Sequence, residues 1–344
     1  MTPLISVIMP VRNGTEWLRE AVESVLAQDF GDFEFLIVDD GSDDGTADAL
    51  DRFALADRRI RVMHQSPQGI VTALNRALAV ARAPYVARLD ADDVAKPERL
   101  GRQFAFMEAH GNTGLLGSFA EKLDAAGTVI GRLTPPADAG KLRRMLDRTN
   151  PFIHSSVMMR TALAREVGGY RPAFRAAEDY DLWLRMAEAS GVAVLPEVLI
   201  AYRLHDANLS RRDALRQCFS VRLAQRSAAA RRHGLADPAS GLEAPPDWWA
   251  RDAEASSFAD DVAFYRFLDA DLKAAADYLP AVRSRVFALN HAERKLAQSK
   301  LSAMLREIGR PLGERIHMLM LMAMLHPARA VSIAWRGSAR GISR

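Results

Sequence analysis

The sequence has little of what a secreted or membrane-spanning protein needs. Its 344 residues include a single cysteine, Cys218, which cannot form an internal disulfide bond, so folding in a reducing compartment is expected. The first apolar run, residues 4–9, has no basic segment before it and predicts a strand instead of a secretory signal. No run reaches the roughly 18 apolar residues of a membrane span, and residues 316–325 come nearest. These absences predict a cytoplasmic protein.

Two common phosphate-binding signatures are also absent. The chain has no G-x-G-x-x-G after a predicted strand and no G-x-x-x-x-G-K-[ST], which excludes dinucleotide dehydrogenases and P-loop NTPases. Its 46 Lys and Arg residues nearly balance its 43 Asp and Glu residues. The small basic excess does not indicate a nucleic-acid partner.

Short β-rich runs alternate with helical patterns through the first hundred residues. Strands are predicted at 4–11, 33–38, 60–64 and 85–89, and helices at 15–28, 46–55 and 70–82. In the first helix, Trp17 and the apolar residues after it recur at helical spacing, so Trp17 is expected in the core. The alternation predicts an α/β fold with a Rossmann-like, mostly parallel sheet flanked by helices.

The rest of the chain predicts a change of topology and then an added helical region. The patterns predict two strands joined by a turn at Gly127 within 115–130, a helix at 141–146, a strand at 155–159, a helix at 180–189 and an extended run at 192–202. From about residue 211 the composition shifts to Ala, Arg and Leu at helical spacing, with a break between 234 and 246. We therefore predict a domain at 1–210 and a helical C-terminal region at 211–344.

Three aspartates follow the predicted fourth strand in the sequence Arg-Leu-Asp-Ala-Asp-Asp, at residues 88–93. An extended chain would place the side chains of Asp90 and Asp92 on the same side. Paired carboxylates of this kind bind Mg²⁺ or Mn²⁺, while waters and substrate phosphates complete the shell. A solvated turn is the alternative, but a second acidic loop after another strand favours a metal that bridges a diphosphate.

That second loop reads Val-Asp-Asp-Gly-Ser at residues 38–42 and places Asp39 and Asp40 at the end of a predicted strand. A doubly wound sheet binds its ligands at the carboxyl ends of its strands. A carboxylate there can accept a hydrogen bond from a nucleobase N–H. Capping of the next helix by Ser42 or Asp43 is the alternative for the second half of the loop.

Residues 6–14, 38–46 and 90–93 together resemble the family 2 glycosyltransferases of the GT-A fold, and the likeness covers roughly residues 3–210. The resemblance implies an inverting, Mg²⁺- or Mn²⁺-dependent enzyme that moves a sugar from a nucleotide-diphosphate donor to an acceptor hydroxyl. It implies a nucleotide-sugar site formed by Pro10, Arg12, Asn13, Asp39 and Asp40 around the base and by Asp90, Ala91, Asp92 and Asp93 around the ribose, diphosphate and metal. Many members carry an aromatic residue where Arg12 stands.

A further acidic motif, Glu-Asp-Tyr-Asp at residues 178–181, corresponds to the Glu-Asp motif of that family. The resemblance implies that Asp179 is the catalytic base, because an acceptor hydroxyl must lose its proton as it attacks the anomeric carbon. Glu178 is expected to orient a partner. The alternative is that these acids only favour a helix N-terminus through its dipole.

Two histidines have contexts that the resemblance makes relevant. His205 follows the extended run and is expected to complete the metal shell or to contact the diphosphate. His154, in Asn-Pro-Phe-Ile-His at residues 150–154, is expected to contact the acceptor or a phosphate. A purely structural role is the alternative for both.

The motifs divide the first domain into a nucleotide-sugar half, about residues 1–110, and an acceptor half, residues 111–210. The expected acceptor is a glycan or a lipid-linked precursor of a cell-surface polysaccharide. Residues 316–325, followed by Arg329, Trp335, Arg336, Arg340 and Arg344, predict either peripheral contact with the inner face of a membrane or a core or dimer helix, so homo-oligomers stay open. A catalytically silent nucleotide-sugar-binding or scaffolding protein is the alternative function.

Overall fold

The computed structural model describes residues 2–205, 214–247, 259–272, 274–306 and 312–325. The chain divides into two compact units, one formed by residues 1–213 and 220–245 and the other by residues 214–219 and 246–344. The domains predicted at 1–210 and 211–344 stay predictions, because compactness does not say which part carries a function.

One sheet forms the centre of the first unit. Its strands are β1 Ile5–Val11, β2 Phe33–Asp39, β3 Ile60–His64, β4 Tyr85–Arg88, β5 Val94–Ala95, β6 Thr113–Leu123, β7 Val129–Leu133, β8 Met158–Arg160 and β9 Gly191–Arg203. They lie in the order β3-β2-β1-β4-β8-β6-β9-β5, and β7 pairs with β6. The first four strands pair in parallel, as do β6 and β9, whereas β8 is antiparallel to β4 and β6. The predicted α/β class is confirmed.

Helices cover the sheet. They are α1 Leu18–Leu26, α2 Thr46–Ala56, α3 Ile70–Val80, α4 Arg99–Ala109, α5 Ala139–Leu146, α6 Thr161–Glu166 and α7 Glu178–Ala189. Alternate residues of β1, among them Val7 and Met9, share one core with the buried face of α1, whereas Ile8 between them is buried outside that core. Because both faces are covered, β1 and β2 are mostly apolar, and their buried polar residues Ser6 and Glu34 are joined by a hydrogen bond of 2.7 Å.

Two local predictions were wrong. Trp17 does not belong to the core that Leu18 and Val22 enter; it precedes α1, is partly buried, and stacks its ring on His205. The strand predicted at residues 155–159 begins only at Met158, after a 3-10 turn at His154–Ser156. The turn forms because the amide and hydroxyl of Ser156 both donate to the carbonyl oxygen of Ile153, at 2.8 Å each.

The added helical region is present, as predicted. Its helices within the described ranges are α8 Ala214–Arg232, α9 Ala259–Asp269, α10 Leu279–Arg285, α11 His291–Arg306 and α12 Leu312–Leu325. In the second unit the hydroxyl of Tyr265 donates to the buried carboxylate of Glu293 at 2.7 Å, beside apolar side chains of the helices. Among the helices in the described part of the chain, none combines the length and the hydropathy needed to cross a bilayer.

Candidate active site

The predicted acidic loops meet at one edge of the sheet. In the parallel register, Ile8 of β1 lies beside Arg88 of β4, and Val11 lies beside Asp39 of β2. The chain therefore leaves these three strands at a common edge. Asp40 follows β2 there, and residues 90–93 follow β4.

Residues 90–93 form a tight turn, not the extended chain that the sequence predicted. The amide of Asp93 donates to the carbonyl oxygen of Asp90 at 3.3 Å. One carboxylate oxygen from each of Asp90, Asp92 and Asp93 lies within 4.8 Å of the others. Asp90 and Asp92 do approach each other, but strand alternation is not the reason, and the turn adds Asp93 to the group.

Charge on this group of three aspartates is costly. Asp93 is fully buried, and its Oδ2 has no hydrogen-bond partner among the described residues. Burial, and then the charges of Asp92 and Asp90, raise the pKa of Asp93 well above its usual range. Burial and Asp90 also raise the pKa of Asp92, against the opposing hydrogen bond from His205. A cation between these oxygens would relieve both the desolvation and the repulsion.

Two buried arginines lie beside the three aspartates, and neither was predicted from the sequence as part of the site. Arg88 forms an ion pair with Asp90 and donates to the hydroxyl of Ser155 at 3.1 Å. The amide of Arg203 donates to Oδ1 of Asp93 at 2.8 Å, and its guanidinium donates to the carbonyl oxygen of Asp92 at 3.0 Å. An arginine at the end of an apolar strand was an available signal for Arg88. Arg203 depends on a contact across 110 residues of sequence, which no local pattern reveals.

His205 lies beside the same aspartates. Its Nε2 is 2.8 Å from Oδ2 of Asp92, and its ring stacks on Trp17 with the ring centres 4.2 Å apart. The stacking fixes the orientation of the imidazole. His205 contacts a predicted metal ligand, and its own role as a ligand or diphosphate contact stays a prediction. The remainder of its motif, residues 206–210, lies outside the described residues.

The carboxylate of Asp40 is held by the loop that follows β3. It accepts hydrogen bonds from the side-chain amide of Gln65 at 2.7 Å and from the backbone amides of Gln68 and Gly69, both at 2.8 Å. Asp40 is 4% exposed. Its carboxylate therefore orders this loop, and the predicted contact with a nucleobase stays a prediction.

Asp39 is likewise engaged by its neighbours. Its Oδ1 accepts the amide of Ser42 at 3.1 Å, and its Oδ2 is 2.9 Å from Nδ1 of His64. The other ring nitrogen of His64 lies 3.0 Å from Asp51, and hydrogen bonds to Asp39 and then Asp51 raise the pKa of His64. Asp39 thus stabilises the loop after β2 through its contacts with Ser42 and His64.

Residues 12–14 are tied to the loop after β2. The amide of Asn13 donates to the hydroxyl of Ser42 at 2.9 Å, and its side-chain oxygen accepts the amide of Asp43 at 3.0 Å. Ser42 and Asp43 therefore join two loops and do not cap α2, where Asp44 accepts the amide of Thr46 at 3.0 Å. Pro10 is partly buried and Arg12 is exposed beside these loops.

Glu178 and Asp179 begin α7 directly after Ala177, which has φ 57° and ψ 26°. This left-handed conformation is rare without glycine and is typical of constrained functional segments. Oδ2 of Asp179 accepts the side-chain amide of Asn150 at 2.7 Å. Burial raises the pKa of Asp179, although the amide of Tyr180 and the side chain of Asn150 oppose it. Burial and the charge of Asp179 raise the pKa of Glu178 to about 8.

His154 packs against this pair. Its Nε2 is 3.1 Å from the hydroxyl of Tyr170, and its Nδ1 is 3.9 Å from Oε1 of Glu178. Burial, and then the charge of Arg88, lower the pKa of His154 well below its usual range, so its ring is neutral near pH 7. Its predicted contact with an acceptor or phosphate is not tested by this packing.

The two acidic groups influence each other. The charge of Asp90 contributes to the raised pKa values of Glu178 and Asp179, and the charge of Arg88 opposes both shifts. The contacts of two adjacent residues link the groups: the hydroxyl of Ser155 donates to Asp90 at 3.1 Å, and Nδ1 of His154 lies 3.9 Å from Oε1 of Glu178. The structure therefore brings the metal-type aspartates and the predicted base into one charged region around Arg88.

Comparison with known proteins gives a single family. Residues 6–168 match the family model described as glycosyl transferase family 2. The chain is 30% identical over 207 residues to the O-antigen biosynthesis glycosyltransferase WbnJ of Escherichia coli, and the match covers 59% of this chain and 80% of WbnJ.

Two solved structures are similar to the chain over nearly its whole length. One is S. aureus TarS 1-349 in complex with UDP-GlcNAc, with a TM-score of 0.59 and 19% identity over 94% of this chain and 91% of that chain. The other is the mannosyltransferase PcManGT from Pyrobaculum calidifontis in complex with GDP-Man and Mn²⁺, with a TM-score of 0.53 and 18% identity over 98% and 88% of the two chains. At these identities the likeness shows a shared fold.

Proposed function

The chain belongs to glycosyl transferase family 2 and is a glycosyltransferase of the GT-A fold, and we propose that it transfers a sugar from a nucleotide-diphosphate donor to an acceptor hydroxyl with inversion at the anomeric carbon. The observation that supports this most is the group of three aspartates within 4.8 Å at the sheet edge, electrostatically coupled to a buried Glu-Asp pair. WbnJ is a glycosyltransferase of O-antigen biosynthesis, and by analogy we propose a glycan or lipid-linked acceptor for this chain.

The proposed donor site lies along the edge where β1, β2 and β4 end. Pro10, Arg12 and Asn13 border it at the end of β1, and Asp39 and Asp40 border it at the end of β2. TarS has been solved with UDP-GlcNAc and PcManGT with GDP-Man. By analogy we propose a nucleoside-diphosphate sugar here, with its base beside these two loops and its diphosphate toward residues 90–93, including Ala91.

The residues at 90–93 suit a divalent cation. Hard oxygen donors are what Mg²⁺ and Mn²⁺ prefer, and the buried Oδ2 of Asp93, without a hydrogen-bond partner in the described residues, leaves a lone pair for a ligand. Asp90, Asp92 and Asp93 would hold the ion, and His205 would orient Asp92 or join the shell. When bound, a divalent cation offsets charge on a departing diphosphate.

Asp179 is the proposed base. The acceptor oxygen forms a bond to the anomeric carbon, the bond from that carbon to the diphosphate breaks, and the proton of the hydroxyl passes to Asp179. Asn150 fixes the carboxylate for this step: its side-chain oxygen accepts the amide of Phe152 at 3.1 Å, so its NH₂ group must face Asp179. Glu178, with a pKa of about 8, is protonated near pH 7 and would donate a hydrogen bond.

Screening the full chain against nucleotide sugars with Mn²⁺ tests this function. A thermal-shift panel would identify the donor, and release of the nucleoside diphosphate would then be followed with and without Mn²⁺. We expect slow Mn²⁺-dependent hydrolysis that Asp92→Asn abolishes. Donor binding without any release, with or without candidate acceptors, would instead favour a silent nucleotide-sugar-binding protein.

Residues 1–110 would bind the donor and residues 111–210 the acceptor, with His154 on the acceptor side. We also propose that the enzyme works at the inner face of a membrane, where lipid-linked acceptors are found.

A further inference from the structure

Most of helix α8 and the loop that follows it belong to the same compact unit as the sheet. The first unit includes residues 220–245, although the predicted catalytic domain ends at residue 210 and the family model matches residues 6–168. No role in the site was predicted for residues 220–245 from the sequence. Their side chains nevertheless contact both α7, which carries the proposed base, and the segment that follows α5.

One set of contacts holds the first turn of α7, where Asp179 lies. The guanidinium of Arg171 donates to Oδ2 of Asp181 at 2.9 Å and, through another nitrogen, to Oδ2 of Asp237 at 2.8 Å. Asp181 is fully buried two residues after Asp179, and the side chain of Asp237 is only 12% exposed. Because ion pairs that are largely shielded from water are weakened little by salt, Asp237 anchors this end of α7 through Arg171.

Asp237 is itself held by the end of α8. Arg231 donates to Oδ2 of Asp237 at 2.5 Å and forms a bidentate ion pair with Glu188 in the last turn of α7, at 2.7 and 2.9 Å. The backbone amide of Ala239 donates to Oδ1 of Asp237 at 2.8 Å. Burial raises the pKa of Asp237, but the amide of Ala239 and then Arg171 lower it to about 2, so the carboxylate is charged at neutral pH.

The middle of α8 holds the segment that leads from α5 to Asn150. The side-chain amide of Gln225 donates to the carbonyl oxygen of Arg148, two residues before Asn150, at 2.8 Å. The same amide lies 3.5 Å from the hydroxyl of Tyr180, which donates to the carbonyl oxygen of Leu146 at 2.7 Å. Gln225 therefore contacts both the segment that carries Asn150 and the residue that follows the proposed base.

Asn150 and Asp179 are joined by one hydrogen bond of 2.7 Å, and each lies within two residues of a group that this part of the chain holds. The strength of a hydrogen bond depends steeply on its geometry, so a shift of either segment would weaken it. We infer that Gln225 and Asp237 are positioning residues, which hold Asn150 against Asp179 from beyond the predicted catalytic domain. Their effect on sugar transfer rests on the proposed role of Asp179 as the base, whereas their effect on this hydrogen bond does not.

NMR of the isotope-labelled full chain tests the hydrogen bond without turnover. The signal of the Asn150 side-chain amide is assigned by its loss in Asn150→Ala, and Asp179→Ala gives its position without the carboxylate. We expect Gln225→Met and Asp237→Asn each to move this signal toward that position. Gln225→Met removes one partly exposed side-chain contact, so it keeps the test open if Asp237→Asn does not fold.

Asp57→Asn is the matched control for Asp237→Asn. Asp57 is a partly buried carboxylate of the same unit that pairs with Arg59 at 2.7 Å. Its substitution should lower the stability of the chain and leave the Asn150 signal in place. An unmoved signal in folded Gln225→Met and Asp237→Asn would overturn the inference, as would an equal movement in Asp57→Asn.

Steady-state kinetics with a donor and acceptor pair measure the consequence for transfer. We expect Gln225→Met to lower kcat roughly fivefold, the loss of about one hydrogen bond, with the donor KM unchanged. In an Asn150→Ala background the same substitution should have no further effect, because the bond that it weakens is already absent. Equal losses in both backgrounds would contradict a positioning role. Unchanged turnover in Asp179→Asn would eliminate the proposed base, and the Asn150 signal would still decide whether Gln225 and Asp237 hold the contact.

Discussion

The carboxylates of the two acidic loops at this sheet edge have opposite environments. Asp39 and Asp40, after β2, are buried but engaged by backbone amides, a glutamine and His64. After β4, burial and then the charge of Asp90 raise the pKa of Asp92, and burial and then the charges of Asp92 and Asp90 raise the pKa of Asp93. The loop after β2 is complete with its own residues, whereas the loop after β4 needs a positive charge. Burial of an aspartate thus indicates a ligand site only where its partners are insufficient.

The same contrast applies to the acids of α7. Asp181 is fully buried and satisfied by ion pairs with Arg171 and Arg185. Asp179, one half-turn earlier, has Asn150 as its side-chain donor and a raised pKa. Asp181 therefore stabilises the helix, and Asp179 retains the capacity to take a proton.

The largest expected effect is on turnover. Asp179→Asn removes the proposed base and should lower kcat by a factor of roughly 10² to 10⁴, with little change in donor affinity. Asp48→Asn is the control, because Asp48 is an exposed acid in the first turn of α2 and tests the helix-dipole explanation alone. Steady-state kinetics with a donor and acceptor pair would measure both, and equal rates for the two variants would eliminate Asp179 as the base.

Stability without metal should separate the two acidic loops. In Asp40→Asn an NH₂ group replaces one carboxylate oxygen, so the backbone amide of Gln68 or of Gly69 loses its acceptor. The free energy of unfolding should fall by about 1–3 kcal/mol. Asp92→Asn removes a repelled charge and should leave that free energy unchanged or raise it. Urea unfolding in EDTA measures both. A larger loss for Asp92→Asn than for Asp40→Asn would contradict the distinction between the loops.

Loss of Asn150 should have a smaller effect with a defined pH signature. Asn150 lowers the pKa of Asp179, so Asn150→Ala should raise it and move the acidic limb of the rate profile to higher pH. We expect roughly a tenfold lower kcat below that limb, equivalent to one hydrogen bond of about 1.4 kcal/mol. Asn112→Ala, at an exposed asparagine, is the control. A uniform loss at every pH would indicate a structural role only.

The smallest expected effect is the contribution of His64, which contacts Asp39, to the pH dependence of stability. The pKa of His64 is raised, so the protonated ring stabilises the fold below about pH 6.5 and this contribution is lost as the pH rises through the raised value. His64 is partly exposed, so the effect should be below about 1 kcal/mol. Thermal unfolding of His64→Gln between pH 5 and 9, roughly the range of histidine titration, should lack this dependence. A dependence identical to that of the unaltered chain would exclude His64 as its source.

The sequence predicted the elements of the fold well where apolar periodicity was strong. β3 was predicted at its observed bounds, and β1, β2 and β4 within a residue or two. Trp17 was misplaced because helical spacing alone does not show where a helix begins. The strand predicted at 155–159 was misplaced because side-chain hydroxyls compete for the backbone.

The candidate site was predictable as a set of acids but not as a set of partners. The local pattern predicted Asp90 and Asp92 as metal ligands, and the family resemblance implied Asp179 as the base; these roles stay predictions. Asn150 and Arg203 escaped because their roles depend on contacts between distant segments. Arg88 escaped although its ion pair with Asp90 is local and its place at the end of an apolar strand was a signal. The turn at 90–93 escaped as well, since alternation was assumed where a backbone hydrogen bond closes the chain.

The most direct test of the account is calorimetric titration of Mn²⁺ into the full chain, in the presence of the nucleoside diphosphate that the donor panel identifies. We predict one bound Mn²⁺ per chain in the unaltered protein, strong weakening in Asp92→Asn, and unchanged binding in Asp51→Asn, whose carboxylate contacts His64. Mn²⁺ binding of equal strength in Asp92→Asn and the unaltered chain would contradict a cation site at residues 90–93.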